Sequence, residues 1–154
     1  MDGDQVNDIY NCRTVDSKLS TSGQPTEVQL ASVACAGFKV VINLALHDDP
    51  RYSLRDEPNF VKSLGMEYIH IPVQFEAPTE SDLLAFFTVM EKHQEQKVLV
   101  HCAANMRVTA FIGLYRAIKQ HKPIEEAFAL MKTIWEPNPV WSSFISAMLA
   151  KHRG

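Results

Sequence analysis

A cysteine and an arginine separated by four residues, Cys102 and Arg107, lie between a short apolar run and a longer amphipathic stretch. A cysteine thiolate is a nucleophile, and an arginine guanidinium can bind phosphate oxygens through two parallel hydrogen bonds. Residues 98–100 predict a buried strand before Cys102, and apolar residues at helical spacing over 110–118 predict a helix after it. Cys102 would therefore precede a helix N-terminus, where free N–H groups and the helix dipole favour bound phosphate and lower the pKa of a thiol.

The elements that must position this segment alternate between strands and helices. Strands are predicted at 9–15, 40–44, 68–73 and 98–100, and helices at 26–36, 59–64, 79–92, 123–135 and 139–151. Residues 19–25 are predicted to be rich in turns because they end in Ser-Gly-Gln-Pro. The alternation predicts one α/β domain, residues 1–154, with a mainly parallel central sheet flanked by helices.

The composition is that of an ordinary globular domain. The 154 residues are 46% hydrophobic and 21% charged, and a net charge of −3 argues against nucleic-acid binding. Three widely spaced cysteines and scattered histidines show neither metal-ligand spacing nor a disulfide framework, so we expect no metal, no cofactor and a reducing compartment, the cytoplasm. No run is long enough to span a bilayer, and we expect residues 1–8 to form a flexible N-terminal segment without the apolar core of a signal peptide. The sequence indicates no particular oligomeric state.

The segment around Cys102 resembles the phosphate-binding loop of protein tyrosine phosphatases and dual-specificity phosphatases. In that loop His-Cys is followed by five residues, an arginine, and a serine or threonine. Here only four residues precede Arg107, so Val108 stands at the usual arginine position and Thr109 at that of the serine or threonine. The loss of one residue between Cys102 and Arg107 changes the direction in which the Arg107 guanidinium points. The glycines of such loops are absent, although Asn105 tolerates a left-handed conformation.

Further segments are similar, in the same order, to a bacterial phosphatase-like family long known as a domain of unknown function, DUF442, which also occurs fused to β-lactamase-like hydrolases. These segments are Ser22-Gly23-Gln24-Pro25-Thr26, Gln29-Leu30, Gly37 to Leu44 and Gly65 to Val73. The similarity extends over residues 10–120. The family is similar in fold to dual-specificity phosphatases, so the resemblance implies that fold.

The resemblance also implies a two-step phosphoryl transfer without a metal. The Cys102 thiolate would attack phosphorus in line, Arg107 and the loop N–H groups would hold the equatorial oxygens, and water would hydrolyse the cysteinyl phosphate. His101 would order the loop and support the thiolate, Thr109 would help the sulfur to leave, and Gln24 would support the loop or contact substrate. The loop residues that would bind substrate are Ala103, Ala104, Asn105 and Met106.

The general acid that protonates the leaving oxygen is usually an aspartate on a neighbouring loop. Here the first polar residue after the strand ending at 73 is Gln74, whose amide cannot serve as this acid. Glu76 is the nearest carboxyl, and Asp48 and Asp49 on another strand-end loop are the alternatives. The sequence therefore leaves the identity of the acid open.

Two other functions fit parts of the pattern. A rhodanese-like sulfurtransferase also places a cysteine on a strand-to-helix loop, and its shorter loop resembles the Cys102 to Arg107 spacing. A non-catalytic module could instead bind a phosphorylated or sulfated partner through the same helix N-terminus. As a phosphatase, the chain would act on a phosphorylated protein or a small phosphoester. Cys12 would either pack in its strand or form a protective disulfide with an oxidised Cys102.

Overall fold

The computed structural model describes residues 6–153. Its strands are β1 (Arg13–Thr14), β2 (Leu19–Ser22), β3 (Val40–Asn43), β4 (Glu67–His70) and β5 (Val98–His101). They form one sheet in the order β1-β2-β5-β3-β4, in which β1 is antiparallel to β2 and the other neighbours are parallel. The prediction of a mainly parallel α/β sheet is confirmed.

Helices cover both faces of this sheet. They are α1 (Glu27–Cys35), α2 (Glu57–Ser63), α3 (Glu80–Lys92), α4 (Met106–Ile118), α5 (Ile124–Ala127), α6 (Ala129–Lys132) and α7 (Pro139–His152). Local signals fix several helix starts. Thr26 and Gln29 form a capping box at α1, and Thr79 accepts a hydrogen bond from Asp82 N at the start of α3. Among residues 6–153, no helix is both long and apolar enough to cross a membrane.

The hydrophobic core lies in two clusters, one on each face of the sheet. Val40 and Ile42 of β3 belong to the larger cluster with α3, α4 and α7, whereas Val41 belongs to the smaller cluster with α1 and α2. Side chains alternate between the faces because successive residues of a strand point to opposite sides. A strand that is covered on both sides is therefore apolar throughout, as β3 and β5 nearly are.

Three elements differ from the sequence predictions. Residues 19–22, predicted as turn, form strand β2 between β1 and β5, while only two residues of the predicted strand 9–15 pair as β1. The predicted helix 123–135 consists of two short helices, α5 and α6. Residues 1–5 of the predicted flexible segment lie outside the described residues, residues 6 and 7 are helical, and Val6 is buried. The flexibility of residues 1–8 stays a prediction.

The parallel strands end together at one edge of the sheet. His101 of β5 is in register with Ser22 of β2 and Asn43 of β3, and Asn43 is in register with His70 of β4. The segments that follow β3, β4 and β5 consequently meet at this edge. This is where ligands usually bind in open α/β sheets.

Candidate active site

The loop between β5 and α4 turns sharply at Asn105. This residue has left-handed backbone angles, φ 66° and ψ 11°, and directly precedes Met106, the first residue of α4. Its Nδ2 donates to the Asn11 carbonyl at 2.9 Å and to Thr21 Oγ1 at 3.0 Å. Asparagine adopts this backbone conformation at lower cost than most residues. Asn105 therefore ends the loop and holds it against the β1–β2 side of the sheet.

Two carbonyls of the loop also face that side. Ala103 O accepts from Gln24 N–H at 3.0 Å, and Ala104 O accepts from Asn11 Nδ2 at 3.1 Å. In a trans peptide unit the C=O and N–H groups point in opposite directions, so the N–H of Ala104 faces away from Gln24. This backbone donor is therefore not used by Gln24, and Ala104 lines a cavity on the loop.

Gly23 allows β2 to lie this close to the loop. A Cβ atom at this position would lie 2.6 Å from Ala103 O and 2.8 Å from Tyr10 Cδ2. The Gly23 N–H also donates to Tyr10 O at 2.7 Å. A side chain here would displace the loop, which explains the glycine of the Ser-Gly-Gln-Pro segment.

A cavity of about 320 Å³ opens in front of the loop. The loop and the first turn of α4 contribute Cys102, Ala103, Ala104, Met106 and Arg107 to its lining. The nucleophile candidate and the guanidinium candidate therefore share one cavity. The predicted site residues that are not among its lining are Gln24, His101, Asn105 and Thr109.

The shortened spacing still brings Arg107 to this cavity, and the residue is only 5% exposed. Its Nη1 donates to Val73 O at 2.8 Å, and its Cζ lies 5.9 Å from the ring centroids of both Tyr52 and Phe75. A carbonyl and two ring faces orient the guanidinium and carry no net negative charge. The charge of Arg107 interacts with the nearby Asp49, but its hydrogen bond goes to a carbonyl, so the guanidinium can still bind an anion in the cavity.

The two aromatic walls are themselves held in place. Phe75 packs against Trp135 and Trp141, with ring centroids 5.7 and 6.0 Å apart, and its carbonyl accepts from Trp141 Nε1 at 2.7 Å. The Tyr52 hydroxyl accepts from Leu46 N–H at 3.3 Å. The cavity therefore has fixed apolar walls beside its cation.

Two carboxyl groups line the cavity, Asp49 and Glu76, whereas Asp48 does not. Hydrogen bonds from the Arg51 side chain and backbone, strengthened by the charge of that side chain, lower the pKa of Asp49 to about 2. Asp49 is consequently ionised near neutral pH and cannot donate a proton there. Glu76 is exposed on the loop after β4 and remains the carboxyl that could serve as an acid.

His101 lies behind the loop and contacts a buried carboxylate. Its Nε2 is 2.6 Å from Glu57 Oε2, and its Nδ1 is 3.3 Å from Cys102 O. Glu57 Oε1 also accepts from Gln24 Nε2 at 2.8 Å. Burial raises the pKa of Glu57, but the charge of His101, its hydrogen bond and that of Gln24 together lower it below its ordinary value. The predicted supporting residues Gln24 and His101 are thus joined through Glu57.

Thr109 is also fully buried. Its hydroxyl donates to Met106 O at 3.1 Å and accepts from Trp135 Nε1 at 3.2 Å. The proton of the Thr109 hydroxyl therefore points to the Met106 carbonyl. Assistance to the departing sulfur of Cys102 stays a prediction.

Cys12 packs beside the smaller core cluster, whereas Cys102 belongs to the larger one. Burial raises the pKa of the Cys12 thiol, and the charge of Arg13 only partly opposes this. A buried thiol of this kind is mainly in its unreactive protonated form. The proposed disulfide with Cys102 stays a prediction.

The sequence did not reveal four residues that shape the site: Asn11, Tyr52, Glu57 and Phe75. Glu57 precedes a proline at the start of α2, a position where an acidic residue is usual and normally exposed. Asn11 carries a weak signal, because asparagine is enriched among residues with positive φ, and its φ is 52°. Among residues 6–153, no cluster of three or more His, Cys, Asp or Glu side chains could hold a metal ion.

A cysteine at the carboxyl end of a parallel strand, a loop leading into a helix, and an arginine at the same cavity define the chain as an α/β domain of the dual-specificity and tyrosine phosphatase type. Its sequence places the chain more narrowly. Residues 4–138 match the family described as DSP-PTPase phosphatase fused to NAD+ Kinase, and the chain belongs to this family.

Solved structures and curated relatives agree with this placement. A DUF442 protein from Shewanella putrefaciens CN-32 is 31% identical, with a TM-score of 0.86 and 97% of each chain covered. Tk-PTP, at 23% identity and a TM-score of 0.72 over 92% of this chain and 95% of that one, shows the same fold. The Beta-lactamase hydrolase-like protein of Xylella fastidiosa (strain Temecula1 / ATCC 700964) is 29% identical over 118 residues, which are 75% of this chain and 27% of that protein. The chain therefore spans about a quarter of the length of this curated relative. The predicted family and its phosphatase fold are confirmed.

Proposed function

We propose that this domain is a cysteine-dependent phosphatase that hydrolyses phosphate monoesters through a cysteinyl-phosphate intermediate. The observation that carries the proposal is the shared cavity of Cys102 and Arg107 despite the four-residue spacing. The substrate would be a phosphorylated protein or a small phosphoester, and the cysteine would require a reducing compartment such as the cytoplasm.

In the first step the Cys102 thiolate attacks phosphorus and forms an S–P bond as the P–O bond to the leaving group breaks. Arg107 and the Ala104 N–H stabilise the negative charge on the equatorial oxygens. Glu76 donates its proton to the leaving oxygen. The aromatic walls formed by Tyr52 and Phe75 limit the water around the reacting group.

In the second step a water molecule attacks phosphorus and gives a proton to the Glu76 carboxylate. The S–P bond breaks, so that Cys102 leaves as a thiolate and inorganic phosphate is released. The thiolate and the protonated carboxyl are thereby restored. No other reactant is needed.

Hydrolysis of p-nitrophenyl phosphate by the purified chain, with reductant and a chelator, tests this proposal. We expect turnover by the parent protein, none by Cys102→Ser, and a loss of about 10²-fold or more in kcat/KM for Arg107→Ala. Cys35→Ser is a matched control because Cys35 is exposed on α1, outside the cavity. That variant should keep the parent rate.

Leaving-group dependence tests the acid. Glu76→Gln should lower kcat/KM more for phenyl phosphate than for p-nitrophenyl phosphate, because the poorer leaving group depends more on protonation. Equal losses for both substrates would remove Glu76 from this role. Parent protein without turnover, or Cys102→Ser that retains it, would overturn the phosphatase proposal, and sulfur transfer from thiosulfate to cyanide would then be measured.

A further inference from the structure

The carboxylate of Glu57 is buried behind the loop between β5 and α4, where an acidic side chain is unexpected. The Glu57 side chain is 3% exposed and that of His101 is 0% exposed. A buried ion is costly unless it is paired and its remaining hydrogen-bonding sites are satisfied. The Glu57 carboxylate meets this condition, because one oxygen faces His101 at 2.6 Å and the other accepts from Gln24.

The His101 ring lies between two acceptors. Its Nε2 faces the carboxylate of Glu57, and its Nδ1 faces the carbonyl of Cys102 at 3.3 Å. A neutral imidazole has only one N–H, so it could donate to one of these acceptors while its other nitrogen would face a lone pair. An imidazolium donates to both. The hydrogen bond from Gln24 further favours the ionised form of Glu57, which leaves the shared proton on the ring.

We propose that Glu57 is a positioning residue that holds His101 as an imidazolium behind the loop, so that this cation stabilises the Cys102 thiolate. The inference rests on the proposed cysteine-phosphatase function. Glu57 and His101 form a neutral pair overall, so their effect on Cys102 depends on which of the two charges is nearer to it. The cation is adjacent to Cys102 in the chain, and the carboxylate lies on the far side of the ring. The positive charge is therefore the one nearer to the backbone of Cys102.

Other ionisable groups surround this pair and Cys102, and each single variant at Glu57 retains them. They are His47, Asp49 and Arg51 after β3, Tyr68 and His70 of β4, Glu76 after β4, and Arg107 of α4. Because they are common to the parent and to each single variant at Glu57, they do not account for a difference between the two.

The first test is the pH dependence of Cys102 alkylation by iodoacetamide, followed by mass spectrometry of the peptide that contains Cys102. Glu57→Gln keeps the shape and removes the charge, so His101 loses its second proton more readily. We expect the midpoint of the alkylation profile to move upward by about one pH unit or more. Loss of the Glu57 charge with an unchanged imidazolium would move the midpoint downward, so the direction of the shift separates the two cases.

A double-mutant cycle shows whether the effect passes through His101. His101→Gln should raise the midpoint as Glu57→Gln does, and the double variant should show no further increase. Glu57→Asp, which keeps the charge, should recover part of the parent profile. Glu76→Gln is the charge-matched control, because it removes a carboxylate from the cavity itself and should not raise the midpoint. An unchanged or lower midpoint in folded Glu57→Gln would overturn the proposal.

A second measurement is made on the parent protein itself and needs a variant only for the assignment. The nitrogen chemical shifts of labelled histidine in the parent protein report whether both ring nitrogens of His101 carry a proton near neutral pH. His101→Gln assigns the resonance among the six histidines. A His101 ring with a single proton would contradict the imidazolium.

Neither measurement requires turnover, so the two proposals can fail separately. An inactive parent with the expected upward midpoint would retain the role of Glu57 in setting thiolate charge and reject the phosphatase function. An active parent with no upward shift in Glu57→Gln would retain the phosphatase function and reject the role of Glu57.

Discussion

Asn105 combines a left-handed backbone with two buried side-chain hydrogen bonds, and substitutions can separate these contributions. Asn105→Gly keeps the backbone conformation available but removes the bonds from Nδ2 to Asn11 O and to Thr21 Oγ1. Asn105→Ala removes the same two bonds and also places a Cβ-bearing residue with no polar group at φ 66°. The parent Oδ1 is buried without a hydrogen-bond partner, so neither variant loses a bond through that atom.

The expected losses in the free energy of unfolding follow from the number of hydrogen bonds that each variant removes. Two hydrogen bonds at about 1 kcal/mol each predict a loss of about 2 kcal/mol in the free energy of unfolding for Asn105→Gly. Left-handed backbone costs an L-residue about 1–2 kcal/mol, partly offset by the smaller entropy of unfolded alanine relative to glycine. We therefore expect Asn105→Ala to be less stable than Asn105→Gly by about 1 kcal/mol, which corresponds to about 2–4 °C in Tm for a domain of this size.

Urea unfolding followed by far-UV circular dichroism measures these differences, with an unchanged m-value required for the comparison. Asn11→Gly is the matched control, since it also removes a side chain at positive φ but loses only the single bond to Ala104 O. It should cost about 1 kcal/mol. Asn105→Ala as stable as Asn105→Gly would refute the assigned backbone contribution, and Asn105→Gly as stable as the parent would refute that of the hydrogen bonds.

Three other perturbations test separate parts of the site and core. Arg107→Lys keeps the charge but loses the planar guanidinium, which can give two parallel hydrogen bonds to phosphate. The value of kcat/KM for p-nitrophenyl phosphate should therefore fall by about 10²-fold, and inhibition by inorganic phosphate should weaken. Parent-like kinetics would contradict a two-bond role of Arg107. Gly113→Ala places a Cβ 2.2 Å from Phe128 Cδ1, so urea unfolding should show a net loss of about 1–2 kcal/mol despite the better helix propensity of alanine, and a stabilised variant would exclude this contact. Asp49, whose pKa is about 2 because of Arg51, loses its charge only as the pH falls toward that value. Above pH 4 the acidic limb of the kcat/KM profile should therefore keep the same number of ionisations in Asp49→Asn, even where the lost charge moves its midpoint, whereas a limb with one ionisation fewer would show that Asp49 titrates there.

Elements with local signals were predictable from the sequence. The helix predicted at 79–92 is α3, because Thr79 caps it and its apolar residues repeat at helical spacing. The strand predicted at 40–44 is β3, because a short run of apolar β-branched residues suits a strand buried on both faces. These features depend on residues close together in the chain.

Strand β2 was not predictable in the same way. Its residues, Leu19 to Ser22, include three hydroxyl side chains and are followed by a glycine and a proline two residues apart, which favours a turn. Its pairing with β1 and β5 satisfies the backbone and buries the hydroxyl-bearing residues. The strand exists because of partners that are far away in sequence.

The sequence by itself determined the strand, loop and helix around Cys102, the family resemblance, and the candidate residues on the loop. Only the tertiary structure decided that Arg107 reaches the same cavity after four intervening residues, that Asp49 is held ionised by Arg51, and that Glu57 contacts His101. The physical reason is that helix caps and hydrophobic periodicity act over a few residues. The direction of a guanidinium and the state of a buried carboxylate depend instead on Val73, on Gln24 and on ring faces that the fold brings together from distant segments.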